Sequence, residues 1–378
     1  MTTYSYIDTA DALEGAVQRL AAHTLLGVDT EAAGYHRYLD RISLIQISSR
    51  EETVLIDPLA LPDLGVLDGL FSNERIEKVF HDADFDLRIL DRDLGLRIAN
   101  IFDTQIAASF LGGRALGLGA VIEAHLGVTV PKAFQRADWA ERPLTEGMKE
   151  YAATDTAYLP ALRDTLRDQL IAAGRLAWAE EEFVRRTQTR WVAPDKTDAF
   201  MRIKGARDLQ PRALAILREV HAWREAVAEE RDQAPFRIVS NESLLAMATE
   251  APTATVPLRK IRGLSSGLVD RRGRDIVAAI ERGVAVADAD LPRFPAPERF
   301  QRVPEIEARA DRLRDARTRV AEALNLDPGF LASRGVLDEV ARQNPRSAEA
   351  LATVPGMRRW QLDALSAEVL KTLLADAP

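Results

Sequence analysis

Cysteine is absent from the 378 residues. That excludes disulfide frameworks, thiolate zinc sites and cysteine nucleophiles, and it fits the cytoplasmic location we expect. Basic residues are outnumbered, 50 Lys and Arg against 58 Asp and Glu, leaving a formal charge of −8. Bulk attraction does not hold a polyanion to such a chain, so any nucleic-acid contact must come from a local basic surface. No apolar run approaches the roughly 20 residues that span a bilayer. The start, MTTYSYIDTADAL, has neither the basic end nor the apolar core of a secretory signal. There is no phosphate-binding G-x-x-x-x-G-K-[ST] loop, which argues against a helicase or other P-loop enzyme. What is present is an apolar fraction of 47 %, enough for real cores, over a length that calls for two or three domains.

One stretch organises the rest, TLLGVDTEAAGYHRYLDRISLIQIS at 24–48. Leu25 to Val28 reads as a buried strand that ends in two carboxylates, Asp29 and Glu31. Alternate residues of an extended chain share a face, so the two can converge. Close carboxylates repel unless a cation lies between them, and a hard divalent metal takes carboxylate oxygens. A solvated strand end leading into the turn at Gly34 explains the same residues without chemistry. A second strand, Leu44 to Ile47, follows too soon for a helical crossover, so antiparallel pairing and a mixed sheet are expected.

Strands and helices then alternate to about residue 165, the pattern of an α/β layer fold. DTADALEGAVQRLAA at 8–22 is amphipathic, ETVLIDP and KVFHD are strands, and FDLRILDRDLG leaves the second of these as a helix. FDTQIAASFLGG gives a helix from Thr104, and a long helix starts behind a Thr145 cap. The reading divides the chain into a domain at 1–170, a helical and linker arm at 171–208, a helical module at 209–285, a proline-rich linker at 286–304 and a second helical module at 305–378. The two modules share a layout, ending KIRGLSSG in one and TVPGMRRW in the other before a last helix, which points to duplication.

Three further groups could carry chemistry. Tyr151 and Asp155 stand four apart in GMKEYAATDTAYL, on one helical face among small alanines. In HDADFDLRIL, His81 is followed by Asp82, Asp84 and Asp86, and composition alone does not choose among the three; Asp84 suits a helix cap. The segment Lys132, Gln135, Arg136, Asp138, Trp139, Arg142 mixes cations with an aromatic ring, with Lys132 and Arg136 the expected phosphate contacts and Trp139 buried. A second basic cluster, Arg259, Lys260, Arg262, Arg271, Arg272 and Arg274, surrounds Gly263 and Gly267. It suits phosphate contact and a solvated charge run about equally.

Taken in order, DTE at 29–31, His81 with Asp86, FDTQIAASFLG, ADWAERPL and YAATD at 151–155 resemble the exonuclease motifs of the tyrosine branch of the DEDD superfamily, and within it the bacterial ribonuclease D family. The helical modules resemble the HRDC modules of that family, through residues such as Leu217, Trp223, Pro235-Phe236 and Leu258 in the first and Leu337, Asn344-Pro345 and Pro355-Gly356 in the second. The resemblance implies a ribonuclease H-like mixed sheet flanked by helices, followed by two all-α modules. It implies metal carboxylates at Asp29, Glu31, Asp86 and Asp155, a catalytic Tyr151 and two divalent cations, Mg²⁺ or Mn²⁺. Gln46 and His81 would then lie near the substrate, although an inward Gln satisfied by backbone and a structural His read as well. The implied activity is 3′→5′ exoribonuclease action on RNA such as tRNA precursors with single-stranded 3′ ends, by a monomer without a membrane, with nucleoside 5′-monophosphates released. A DNA exonuclease and a non-catalytic nucleic-acid-binding protein of the same fold are the alternatives. The helical modules are expected to be removable without loss of activity on short strands.

Overall fold

The computed structural model describes residues 3–131, 133–295 and 303–375. Among them the chain forms two units, Met1–Glu31 with Ile42–Trp191 and Phe300–Pro378, and Ala32–Arg41 with Val192–Arg299.

The first unit is built on a mixed sheet of β1 (Tyr4–Ile7), β2 (Leu25–Ala32), β3 (Ile42–Ser48), β4 (Thr53–Ile56), β5 (Glu77–Phe80) and β6 (Ile101–Asp103). The order across it is β1-β4-β3-β2-β5-β6. β1 runs parallel to β4, β3 antiparallel to β4, and β5 parallel to both β2 and β6. Every residue of β3 is buried, as expected of a central strand covered on both faces. The edge strand β1 has no counterpart in the sequence reading, because four residues of YSYI are too short to show a period.

Among the described residues eight helices belong to this layer: α1 (Ala10–Leu20), α2 (Asp68–Phe71), α3 (Asp84–Leu94), α4 (Thr104–Phe110), α5 (Leu118–Leu126), α6 (Glu146–Ala157), α7 (Leu159–Ala172) and α8 (Leu176–Arg186). The long helix expected from Thr145 is broken at Tyr158 into α6 and α7, with Pro160 near the start of α7, where its missing N–H costs nothing.

The second unit holds α9 (Pro211–Glu230), α10 (Pro235–Ile238), α11 (Asn241–Glu250), α12 (Thr255–Leu258) and α13 (Ser266–Ala285) around a core of its own. Phe200, Ile203 and Ala206, from the stretch expected to be a linker, are buried in that core. The segment 32–41 belongs here too: Ala234 N–H donates to His36 O at 3.0 Å and Tyr38 packs on the core.

The chain ends in α14 (Pro304–Leu324), α15 (Pro328–Leu331), α16 (Arg334–Gln343), α17 (Ala348–Ala352) and α18 (Arg359–Leu374), which lie in the first unit. One apolar cluster runs from Leu25, Val79 and Phe102 of the sheet through Phe110, Leu166 and Phe183 to Leu313, Leu337 and Trp360. No described helix is long and apolar enough to cross a membrane.

Candidate metal centre

β2 carries the first two carboxylates past the edge of the core. Its alternation puts Asp29 and Glu31 on one side and the buried Thr30 on the other. Gly27 lets a second element come close: a Cβ there would lie 2.8 Å from both Thr156 O and Leu159 Cβ. The α6–α7 corner therefore rests on the β2 backbone, a close approach that any side chain would prevent.

α6 is fixed at both ends. Thr145 caps it by accepting from Met148 N–H at 3.3 Å, and Thr156 near its end lies 2.6 Å from Ser48 Oγ of β3. Ala152 and Ala153 are fully buried, so the helix packs tightly on β3 and β4 and turns Tyr151 and Asp155 toward β2. The result is a cluster in which one carboxylate oxygen each from Asp29, Glu31 and Asp155 lie within 4.8 Å of one another. Three carboxylates drawn from strand and helix meet at one point.

The electrostatics record the crowding. Burial first, then the charges of Asp86, Glu31 and Asp155, raise the Asp29 carboxyl well above its ordinary range. Burial, Asp155 and Asp86 do the same to Glu31. Burial pushes Asp155 up to about 7 against the opposing hydrogen bond from Tyr151. The phenol is raised above its usual value by burial and then by Asp155 and Glu31, so it stays protonated. Buried oxygens that resist ionisation and repel each other are the donor set that a hard divalent cation stabilises. The residues fit such an ion.

Asp86 arrives from α3 and reaches the same field without joining the closest trio. Burial pushes it up to about 7, while its Oδ1 accepts from Thr30 Oγ at 2.5 Å, which lowers it. The turn before α3 is shaped by Asp103. This fully buried carboxylate accepts from Asp82 N–H at 3.2 Å and Ala83 N–H at 3.0 Å, and it also caps α4. Asp82 takes a left-handed conformation, φ 58°, inside that turn. Asp84 is not the cap expected of it. Ala83 holds the cap position because Asp103 already serves the turn's N–H groups, and Asp84 sits in the first helical turn, paired with Arg88 at 2.8 Å and Arg186 at 2.9 Å.

The remaining expected residues are placed as follows. His81 is half-buried, its Nδ1 2.9 Å from Thr104 Oγ, and burial lowers its pKa. Gln46 is completely buried on β3, with neither amide atom hydrogen-bonded. Arg136 is exposed, and Lys132 lies outside the described residues. Trp139 is buried. Arg142, read with the basic segment, is instead a brace: it donates to both oxygens of the buried Asp57, to Ser43 O and to Trp139 O, all at 2.6–2.7 Å. Two site residues escaped the sequence reading. Thr30 is hidden as the middle letter of Asp-Thr-Glu, and Asp103 is signalled only by its place just before a helix.

The family model described as 3′-5′ exonuclease matches residues 4–171, and the HRDC domain model matches twice, at 213–280 and 306–373. The chain is 34 % identical to ribonuclease D of Shewanella sp. (strain ANA-3), over 74 % of this chain and 73 % of that one. It is 30 % identical to ribonuclease D of Granulibacter bethesdensis, over 96 % and 91 %. Among solved structures it is similar to Escherichia coli RNase D, described as an exoribonuclease involved in structured RNA processing, with TM-score 0.71, 28 % identity and complete coverage of both chains. A protein from Bifidobacterium adolescentis gives TM-score 0.84 at 26 % identity, covering 98 % and 97 %. With carboxylates from a strand and a helix gathered beside a phenol, and two HRDC modules following in the sequence, the chain belongs to the ribonuclease D family and is a metal-dependent 3′→5′ exoribonuclease.

Proposed function

We propose that the chain trims the single-stranded 3′ ends of structured RNAs, tRNA precursors among them, releasing nucleoside 5′-monophosphates with two divalent cations, Mg²⁺ or Mn²⁺. The observation that carries this reading is the meeting of Asp29, Glu31 and Asp155 within 4.8 Å, with Tyr151 alongside. Asp29, Glu31 and Asp155 would hold the ions, and Asp86, steadied by Thr30, would support them from α3. Bound there, the ions would supply a hydroxide at neutral pH and offset charge on the attacking and leaving oxygens. Tyr151, kept neutral by burial and then by its acidic neighbours, serves as a donor that orients water and not as a base. Similarity to a structured-RNA exoribonuclease and two HRDC modules support the choice of substrate.

The test is digestion of matched end-labelled RNA and DNA strands, and of a tRNA carrying a 3′ extension, under metal titration. Asp155→Asn should lower turnover by more than about 100-fold, since even outer partners of a metal cost 10–100-fold. Tyr151→Phe should cost roughly 100-fold in turnover with little change in RNA binding, the usual penalty for a misplaced reactant. Full turnover by Asp155→Asn, or faster loss of the DNA strand than the RNA strand, would refute the reading.

A further inference from the structure

A cavity of about 280 Å³ lies where α8 meets the last helices of the chain, inside the first unit. Its walls are Arg185, Arg186 and Glu182 of α8, Thr189 just beyond, Ile106 of α4, Phe330 of α15 and Arg358 ahead of α18. Three arginine side chains line this space. Arginines in a seam ordinarily serve to pair it shut, so their partners decide what the cavity is.

Glu182 faces two of the three and is already engaged. Its Oε1 accepts from Trp360 Nε1 at 2.7 Å and lies 2.7 Å from Arg358 Nε, which is buried yet not aligned for a directed hydrogen bond. Its Oε2 is 3.7 Å from Arg185 Nε, beyond hydrogen-bond reach, and Arg185 is 56 % exposed. One carboxylate thus faces both guanidiniums, in close contact with Arg358 and at longer range with Arg185. Arg186 turns the other way, to Asp84 at 2.9 Å, two residues from Asp86. The cavity wall is in this way tied to the helix that supplies a metal carboxylate. The ring of Phe330 also lines the cavity, held by Phe110 at 4.8 Å and Trp360 at 5.7 Å between ring centroids.

We propose that this cavity binds one nucleotide of the RNA strand upstream of the bond being cut, with its phosphate against Arg185 and Arg358 and its sugar or base against Phe330. Guanidinium forks match phosphate oxygens, and aromatic faces accept any base. The assignment rests on the exoribonuclease reading, and it adds a specificity for strands longer than the reacting pair of nucleotides.

The experiment measures equilibrium binding of a labelled single-stranded RNA to the full chain in chelator, across a salt series, for the wild type, Arg185→Ala and Arg167→Ala. Arg167 is a control on α7, half-exposed and 3.4 Å from Glu180. Arg185→Ala should weaken binding about five- to tenfold and reduce the salt slope by about 0.7, the value for one phosphate on a single strand. Arg167→Ala should leave both as in the wild type. Equal affinity and slope in wild type and Arg185→Ala would overturn the proposal, as would the same shift in the control. Adenosine 5′-monophosphate competing fully with the strand in the wild type but not in Arg185→Ala would mark a product site and overturn the strand assignment. Binding without metal keeps the result separate from turnover: RNA held through Arg185 by a chain that releases no nucleotide would sink the exoribonuclease reading and leave this site standing.

Discussion

The two HRDC modules have nearly the same parts list and opposite attachments. α9 and α14 run 20 and 21 residues, α10 and α15 four each, α11 and α16 ten each. Even the turns match: Ser240 and Ser333 cap the third helix of each module, Ala251 and Asn344 close it in a left-handed conformation, and Gly263 and Gly356 share a φ near 85–88°. Yet the first module closes on its own core, while the second shares a core with the catalytic sheet. The difference lies in what the second module presents outward. Trp360 and Phe330 meet Phe110 and Trp178, and the backbone N–H groups of Arg359 and Trp360 at the start of α18 donate to Glu181 at 3.0 Å. A module's signature therefore fixes its internal fold; the residues on its outer face decide whether it stands alone. Removing the second module would strip cover from the catalytic layer, which the expectation of activity on short strands without either module did not include.

Tryptophan truncation should expose this contrast most strongly. Trp360→Ala removes a 2 %-exposed ring from the shared core, at a cost of about 3–5 kcal/mol. Unfolding followed by nuclease activity should shift to lower denaturant by that amount. Trp223→Ala removes an 8 %-exposed ring from the separate core and should cost a similar amount locally while leaving the activity midpoint in place. If both variants move the activity midpoint equally, the modules are attached alike and the comparison fails.

Acid should sharpen the contrast more gently. In the first unit, hydrogen bonds from Arg142 and Tyr6 outweigh the opposing burial and hold the Asp57 carboxyl below its usual range. A carboxyl lowered on folding stabilises the native state above its unfolded pKa of about 3.9, and that contribution is lost as pH falls through the folded value. The Asp57 contribution lost below about pH 3.9 should be on the order of 1–3 kcal/mol, the worth of charged hydrogen bonds, whereas the raised carboxyls of the metal centre move the first unit the other way above that pH. The second unit, whose lowered carboxyls Asp195 and Glu242 are exposed, should lose less there. Unfolding curves of the wild type and Asp57→Asn from about pH 4 to about pH 2 check this, the stability difference between the two shrinking as pH falls.

How much of this was legible beforehand follows physical lines. Local patterns were readable: the Thr145 cap, the one-face pairing of Tyr151 with Asp155, and the alternation that sets Asp29 beside Glu31. Long-range braces were not. Nothing near Asp103 in the sequence says that it serves N–H groups twenty residues earlier, and nothing near Arg142 says that its partner is Asp57. The shared core was equally hidden, because periodicity shows that α18 has a buried face and not what covers it.

The smallest effect concerns the basic cluster of the first module. Arg259 is paired with Asp270, and Arg272 lies 2.6 Å from Glu230, so two of its six cations are already answered by acids on the exposed surface. Exposed pairs of this kind contribute little to stability and compete with any phosphate for the guanidinium. Lys260, in the turn beside Arg259, is exposed. Lys260→Ala should leave turnover of a short strand unchanged, weaken capture of a tRNA with a 3′ extension about twofold, and lower the salt slope by less than the roughly 0.9 expected for one phosphate on duplex. An unchanged affinity and slope would make the cluster a solvated charge run, and would leave the second module, with its seam against α8, as the HRDC copy that meets RNA.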